Sequence, residues 1–329
     1  MRPDEAIPLS RRARLGASAF LIASAAGLGA FAASQALAAP AQMASPTQDA
    51  ARITPRSIHL SYGDDLVLRG SAATSDTGHT VVLQFARRGQ SDWRQLSSTT
   101  VGAGGRFRLA GTLTRSGVVR AVDASTGTLT PFVARGTTGR TAPASSPAPV
   151  DVTARVRVAS RQIAVLGGQA IRIQGKLLPA RAGRRISLEA HRGGRWQTLS
   201  SARTGGAGRF MLRYAAGTVG QDRIRVRFSG DRLNGRSTAS AGQITVYRLA
   251  GASWYNDGGN TACGFHAPYG VANRTLPCGT RVAFRYNGRS VTATVDDRGP
   301  FVGGRDWDLN QNTAAALGFG GVGTVESSQ

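Results

Sequence analysis

A unit of about a hundred residues occurs twice in this 329-residue chain. Matching residues are separated by a constant offset of 103 positions, as in Trp93 and Trp196, or Phe107 and Phe210. The same offset relates Leu96 to Leu199 and Ser97 to Ser200, and it relates Leu83 and Phe85 to Ile186 and Leu188. Repeats of about 20 to 50 residues indicate solenoids, so a repeat of this length predicts two duplicated domains.

Apolar and polar residues alternate within each copy, as in 66–68, 171–173 and 224–228. Glycine-rich turns, such as 102–105 and 205–208, separate these runs. Short alternating strands with regular turns are typical of β-sandwiches, and we predict two of immunoglobulin-like type at residues 52–135 and 152–248. The cysteine and tryptophan signature of antibody domains is absent, so this class rests on the pattern of strands. Residues 136–151 are rich in Thr, Ser, Ala and Pro, which predicts a linker.

The N-terminus has the three parts of an export signal. Basic residues at positions 11, 12 and 14 precede an apolar run from Leu15 to Phe31, and Ala36-Leu37-Ala38 follows as a small-residue cleavage pattern. We therefore predict a signal peptide at residues 1–38, cleaved near Ala38, with a flexible segment at 39–51. The adjacent arginines leave the general and the twin-arginine export routes open. The mature protein is expected to be secreted or to lie in the cell envelope, without a permanent membrane anchor.

Positive charge is concentrated in the two repeats. The chain has 41 Lys and Arg against 18 Asp and Glu, and residues 155–248 alone have 19 basic and three acidic side chains. Residues 249–329 have six of each and are formally neutral. Outside the cell, such cationic domains are expected to bind anionic wall polymers. The alternative is that the arginines only solvate the sheet faces. Nucleic acid is not an expected partner, because export and the lack of a recognition motif argue against it.

The two cysteines, Cys263 and Cys278, both lie in the last domain. In an exported protein they predict one disulfide, which would contribute about 3 kcal/mol for a loop of about 15 residues. The four histidines are scattered, and only His266 lies near the cysteines. This set has too few ligands for a zinc site, so we predict neither a metal nor a cofactor and place His266 in a surface loop.

A hairpin precedes the most informative carboxylates. Two extended runs, 281–286 and 290–295, are joined by Asn287-Gly288, which favours a tight hairpin turn. Asp296 and Asp297 follow, and strand alternation predicts that they face opposite sides. Asp297 shares its side with Val295 and Val291, so we expect partial burial to raise its pKa, an effect that Arg298 would oppose.

Five ordered motifs in the last domain resemble the rare lipoprotein A family, which is related to expansins. They are 251–255 (GASWY), 261–264 (TACG), 271–280 (VANRTLPCGT), 297–301 (DRGPF) and 304–309 (GRDWDL). The resemblance implies a six-stranded double-psi β-barrel over 249–329, following the two sandwiches in an all-β chain. It also implies action on peptidoglycan glycan strands as a lytic transglycosylase, with Asp297 as the general acid and base.

Two positions depart from the pattern of active family members. Phe265 stands where they have Glu, and Asn273 stands where they have His. Both residues suit sugar binding, and Trp254, Tyr255 and Arg298 are further expected substrate contacts. Non-catalytic binding or loosening of wall glycan therefore stays open, as does a basic adhesive or structural role.

Asp257 is a weak replacement for the missing acid, because it lies in a glycine-rich loop. Asp308 precedes a predicted helix at 313–317 and is expected to serve as a structural acceptor or helix cap.

Overall fold

The computed structural model describes residues 57–135, 141–144, 147–256 and 258–329, with only the backbone for 135 and 141–144. The predictions for the signal peptide, the flexible segment, much of the linker and Asp257 lie outside these residues. Within the described part, regular structure is β apart from one seven-residue helix and two 3-10 turns, at Thr74–Asp76 and Ala103–Gly105. The predicted all-β class is confirmed. No helix in the described ranges is long and apolar enough to cross a membrane.

The first domain consists of two facing sheets with strand orders β1-β10-β6-β3-β4 (β7 pairs with β6) and β5-β2-β8-β9. Its strands are β1 Ile58–Ser61, β2 Asp65–Ser71, β3 Thr80–Arg87, β4 Arg94–Thr100, β5 Arg106–Thr112, β6 Gly117–Asp123, β7 Leu129–Thr130, β8 Phe132–Arg135, β9 Thr141–Ala144 and β10 Ala148–Thr153. One apolar core lies between the sheets and includes Leu83 and Val119 from one and Leu66 and Leu68 from the other.

Strand β10 differs from the prediction of a linker ending at residue 151. It pairs with β1 and β6, and Ala148, Val150 and Val152 are fully buried in the first core. Composition indicated a linker because Pro and Ser are frequent here, but every second residue of β10 is apolar. Burial of that apolar side against the sheet outweighs the composition.

The second domain repeats this architecture with sheets β11-β13-β16 and β15-β14-β17-β18, in which β12 also pairs with β18. Its strands are β11 Arg155–Val158, β12 Arg161–Leu166, β13 Ala170–Leu178, β14 Arg185–Arg192, β15 Arg195–Arg203, β16 Arg209–Ala215, β17 Gly220–Phe228 and β18 Ser237–Tyr255. A second apolar core includes Ile173, Ile186, Leu188 and Leu212.

One packing detail is shared by the two domains. A Cβ at Gly70 would overlap the ring of Phe107, and a Cβ at Gly175 would overlap the ring of Phe210. Both glycines lie in strands, where glycine usually weakens a sheet, so the close approach of an aromatic ring explains them. Phe107 and Phe210 are one of the pairs at the offset of 103.

The two sandwiches are in direct contact. The backbone N–H of Ser116 donates to the Leu233 carbonyl at 2.7 Å, and the Asn234 amide donates to the Thr114 carbonyl at 3.0 Å. Asn234 is 1 % exposed, so this contact is dry.

The last domain is a closed six-stranded barrel that begins inside β18. This strand has 19 residues and continues from the second sandwich into the barrel without a break. The pairing runs β18-β22-β19-β21-β20-β23 and returns to β18. The further elements are β19 Gly270–Ala272, β20 Arg281–Tyr286, β21 Arg289–Asp297, β22 Trp307–Asn310, α1 Gln311–Leu317 and β23 Gly323–Ser327.

Local signals in the barrel follow the sequence prediction. β20 and β21 pair as an antiparallel hairpin, and the turn residues Asn287 and Gly288 have φ of 46° and 79°. These values suit the tight turn that Asn-Gly favours. The core between the strands includes Phe284, Val295, Trp307 and Leu309.

Candidate functional site

The end of β21 carries the two neighbouring aspartates, and a β-bulge separates their environments. Val295 pairs with Val271 of β19, but Ala272, the next residue of β19, pairs with Asp297. Asp296 is therefore the extra residue, and it is fully buried, whereas Asp297 is half-buried. The prediction that strand alternation continues to Asp297 is wrong, because a bulge shifts the register by one residue.

Asp296 is held inside the protein. Its Oδ2 accepts a hydrogen bond from the Ala267 backbone N–H at 2.9 Å, and its carboxylate packs against Gly270 so closely that a Cβ there would overlap it. Burial raises the pKa of Asp296, and backbone N–H groups, first among them that of Ala267, partly oppose this effect. Its position beneath the surface indicates a structural role for Asp296.

Asp297 lies at the surface within a cradle of backbone donors. Its Oδ1 accepts from the N–H groups of Ala262 and Arg298, both at 2.8 Å. Ala262 precedes Cys263, which forms the predicted disulfide with Cys278 and so confirms it. The disulfide links two segments: the loop whose Ala262 N–H donates to Asp297, and the turn that contains Cys278.

Four adjacent strands place a second carboxylate in line with Asp297. Ser253 of β18 pairs with Asp308 of β22, Asp308 pairs with Ala272 of β19, and Ala272 pairs with Asp297 of β21. Their neighbours Ala252, Leu309, Val271 and Val295 point into the barrel core, so these four residues face outward. Two strand spacings place the backbones of Asp297 and Asp308 about 10 Å apart. We call Ser253, Asp308, Ala272 and Asp297 the carboxylate row.

Asp308 has the more perturbed environment of the two outward carboxylates. Burial raises the pKa of Asp308, and proximity to Asp297 adds to the rise. A hydrogen bond from the Ser253 hydroxyl to Oδ1 (2.8 Å) and the charge of Arg305 oppose it. The expectation that Asp308 caps the helix is wrong, because Asn310 is the cap and accepts from the Thr313 N–H at 2.9 Å. Asp308 accepts a structural hydrogen bond from Ser253, as expected.

Asn273 and Arg298 support the backbone beside the row. The Asn273 side-chain oxygen accepts from the N–H groups of Thr275 (3.1 Å) and Leu276 (2.9 Å), and its NH₂ donates to the Asp306 carbonyl (3.2 Å). The Arg298 guanidinium donates to the Asn273 carbonyl at 3.2 Å and contacts the sulfur of Cys278 at 2.9 Å. These intramolecular bonds hold the turn after β19 in place. Substrate binding by either side chain stays a prediction.

Exposed aromatic side chains surround this end of the barrel. Trp254 and Phe265 are both exposed, and Phe265 lies in the loop that donates to Asp297. Tyr255 is half-buried and lies two residues after Ser253, on the outward side of β18. Tyr269 and Phe301 were not among the predicted sugar contacts, yet both are exposed, and Phe301 is 82 % exposed only four residues after Asp297. An aromatic residue directly after Gly-Pro was the signal that could have identified Phe301.

Among the described residues, no group of three or more His, Cys, Asp or Glu side chains is arranged to hold a metal ion. His266 is exposed, as expected of a loop residue.

Comparison with known proteins gives the class of this barrel. Residues 249–327 match the double-psi β-barrel family model described as "Lytic transglycolase". The C-terminal domain thus belongs to the RlpA-like double-psi β-barrels, as the sequence motifs predicted.

The curated relatives carry the RlpA name. The chain is 44% identical over 93 residues to a probable endolytic peptidoglycan transglycosylase RlpA of Synechocystis, which covers 25% of this chain and 29% of that protein. It is 42% identical over 89 residues to the endolytic peptidoglycan transglycosylase RlpA of Pseudomonas aeruginosa, covering 24% and 26%. The Neisseria meningitidis RlpA is 34% identical over 103 residues, covering 29% and 43%. The chain thus spans less than half the length of these curated relatives.

Structural likeness adds little for the sandwiches. The ectodomain of a teleost fish polymeric Ig receptor covers 58% of this chain and 95% of its own, with 11% identity and a TM-score of 0.24. A score this low carries no argument about the sandwich class.

Proposed function

We propose that the barrel cleaves peptidoglycan glycan strands as a lytic transglycosylase, with Asp297 as the catalytic carboxylate and Asp308 as its partner. The observation that carries this proposal is the carboxylate row, in which two outward carboxylates flank Ala272. Ala272 lies between the two acids, and because it is small and almost fully buried, it leaves a low floor between them. The relatives that share this barrel are named for the same reaction.

The proposed reaction needs one proton donor and one proton acceptor. The raised pKa of Asp308 keeps its proton to a higher pH than an ordinary aspartate. Asp308 gives that proton to the glycosidic oxygen as its bond to C1 of the muramic residue breaks. The 6-hydroxyl oxygen of the same residue then bonds to C1, and its proton passes to Asp297. The products are a free 4-hydroxyl and an anhydro sugar, without consumption of water.

Asp308 would thereby replace the acid that is missing at position 265, where this chain has Phe265. Active family members have Glu at the position of Phe265, and Asp257 lies outside the described residues. A carboxyl group whose pKa is raised by burial, as that of Asp308 is, suits the role of general acid. The expansin-like alternative, binding of wall glycan without cleavage, is supported by the exposed rings of Trp254, Phe265, Tyr269 and Phe301, which can stack on sugar faces.

The upstream domains would hold the barrel at the wall. We interpret the two sandwiches as immunoglobulin-like from their facing antiparallel sheets and duplicated cores, although one strand pair in each domain is parallel. Their positive charge would retain the secreted protein on anionic wall polymers, and the export signal predicted at 1–38 would place it there. A structural or adhesive role of the sandwiches is compatible with this retention.

Digestion of purified sacculi, followed by mass analysis of the soluble products, tests the proposal. We expect 1,6-anhydromuropeptides from the wild-type chain and a decrease of about 10²- to 10⁴-fold for Asp297→Asn. Asp306→Asn is the matched control, since Asp306 lies in the same domain but pairs with the exposed Arg248 (3.1 Å). If wild-type protein sediments with sacculi and releases no anhydro product across pH and salt, the barrel binds glycan without cleaving it.

A further inference from the structure

We propose that the outer face of the sheet β11-β13-β16 binds a linear phosphate polymer. This inference rests on the wall retention proposed above and names its site and ligand class, but it needs no glycan cleavage. The face is formed by the outward side chains of the three strands, and we call it the basic face.

Strand pairing places the cations of the basic face in rows. Arg157 pairs with Lys176, and Lys176 pairs with Arg209, which gives one cation from each of the three strands in a single row. Four residues further along β13, Arg172 pairs with Arg213 and forms a second row. All five side chains are exposed, whereas the alternate residues, such as Ile173 and Leu212, point into the core.

In the part of the chain that the structure describes, no acidic side chain of the second sandwich pairs with these five cations. Residues 155–248 contain three acidic side chains, and each is paired with an arginine outside the basic face. Glu189 pairs with Arg225 (2.7 Å) and Arg227 (3.3 Å), Asp222 with Arg192 (2.6 Å), and Asp231 with Arg184 (2.9 Å). The sheet β11-β13-β16 therefore carries positive charge without an acidic side chain of its own.

The geometry suits a chain of phosphates. Neighbouring strands lie about 4.8 Å apart, so a row presents three cations along about 10 Å, and the second row lies about 13 Å further along the strands. A polymer lying flat on the sheet can meet several cations in succession. Guanidinium groups bind phosphate oxygens through two parallel hydrogen bonds, so the arginines of this face suit a phosphate ligand.

The first sandwich provides a natural comparison for this face. At the positions equivalent to Lys176, Arg172 and Arg213 it has Ser71, Val67 and Ala110. Its own outer cations are Arg69, Arg106 and Arg108, and the acidic Asp65 lies on the same face, where it accepts from the Thr112 hydroxyl at 2.7 Å. Duplication preserved the core, and the two outer faces differ in charge.

The test measures binding of long-chain inorganic polyphosphate to the full chain over a series of salt concentrations. The variant Arg157→Gln/Lys176→Gln/Arg209→Gln is expected to raise Kd by about 10- to 100-fold at low salt. It should also reduce the slope of log K against log salt by about 2 to 3, because three fewer phosphates are neutralised. All three side chains are exposed, so circular dichroism and Tm should match the wild type.

The matched control removes the same charge from the other copy. Arg69→Gln/Arg106→Gln/Arg108→Gln should change Kd by no more than about twofold. Equal losses in the two triple variants, or no loss in the first, would overturn the assignment to the basic face. Tighter binding of a DNA duplex or of polyglutamate at matched charge would overturn the assignment to a linear phosphate polymer. Sacculus digestion by the same variants is read separately, so failure here is distinct from failure of the proposed transglycosylase.

Discussion

Two carboxyl groups of the sandwiches have lowered pKa values, whereas two carboxyl groups of the barrel have raised pKa values. In the sandwiches, a hydrogen bond from His79 and backbone N–H groups lower the pKa of Asp123. Burial would raise the pKa of Asp231, but hydrogen bonds from Arg184 and the N–H groups of Leu233 and Asn234 outweigh it and lower it.

In the barrel, burial raises the pKa values of both Asp296 and Asp308. The sandwiches therefore use carboxylates as fixed anions that support the fold. The barrel keeps two carboxyl groups in surroundings that disfavour their charge, which costs stability. Asp296 does so beneath the surface, whereas for the outward-facing Asp308 this environment is typical of a functional site.

The largest expected effect comes from replacing the barrel carboxyl group whose pKa is raised. Asp308→Asn should decrease release of anhydromuropeptides by about 10²- to 10⁴-fold, because the proposed proton donor is lost. The same change should leave the urea midpoint at neutral pH equal or higher, since a neutral amide avoids burial of a charge. Product analysis and urea unfolding of one preparation measure both effects.

Asp231→Asn is the counterpart in the sandwich. It removes the ion-pair partner of Arg184, whose side chain is only 4% exposed, so we expect a loss of about 1–3 kcal/mol in the free energy of unfolding. Cleavage of sacculi should be unchanged. Full activity of Asp308→Asn, or a marked loss of stability, would contradict the distinction between the two regions.

A smaller effect is expected from the paired glycines. Gly70→Ala and Gly175→Ala should each lower the free energy of unfolding by about 1–3 kcal/mol, because the added methyl overlaps Phe107 or Phe210. Each variant should keep its activity on sacculi as long as it remains folded. Gly217→Ala is the control, since a Cβ there meets no heavy atom within 4 Å. A loss at one glycine and not at the other would argue that the two copies are not packed alike.

The smallest effect concerns the pH dependence of stability. A carboxyl whose folded pKa is raised contributes stability below the usual value of 3.8 and loses it as the pH rises through the folded pKa. A carboxyl whose folded pKa is lowered contributes above 3.8 and loses it as the pH falls through the folded pKa. Asp308→Asn should thus reduce the loss of stability as the pH rises above 3.8. Asp231→Asn should reduce the loss of stability as the pH falls below 3.8. Urea midpoints from about pH 2 to 7 would measure this, and equal pH profiles for the two variants would contradict it.

Features set by local sequence were predictable. The Asn287-Gly288 turn fixes its hairpin through φ values that few other residues adopt, and alternation identified strands such as β13 and β17. The disulfide followed from a count of two cysteines. Family motifs then supplied the closed barrel, which alternation alone does not define.

Features that depend on distant pairing were not predictable. The bulge at Asp296 arises because β19, more than twenty residues upstream, pairs with β21 in a shifted register. The carboxylate row needs four strands to align, and no spacing along the chain between Asp297 and Asp308 reveals that both flank Ala272. For β10, the alternation of Ala148, Val150 and Val152 was present in the sequence, but the Pro- and Ser-rich composition around it is typical of a linker.

The strand that joins the second sandwich to the barrel also has a mechanical consequence. With 19 residues, β18 is about 60 Å long, and it forms ladder hydrogen bonds in both domains. A tension applied between the two domains acts along this strand and loads many backbone hydrogen bonds in shear at the same time. The continuous strand therefore restricts rotation of the barrel relative to the second sandwich. Where the sandwich is anchored thus determines how far the carboxylates reach and in which direction they face.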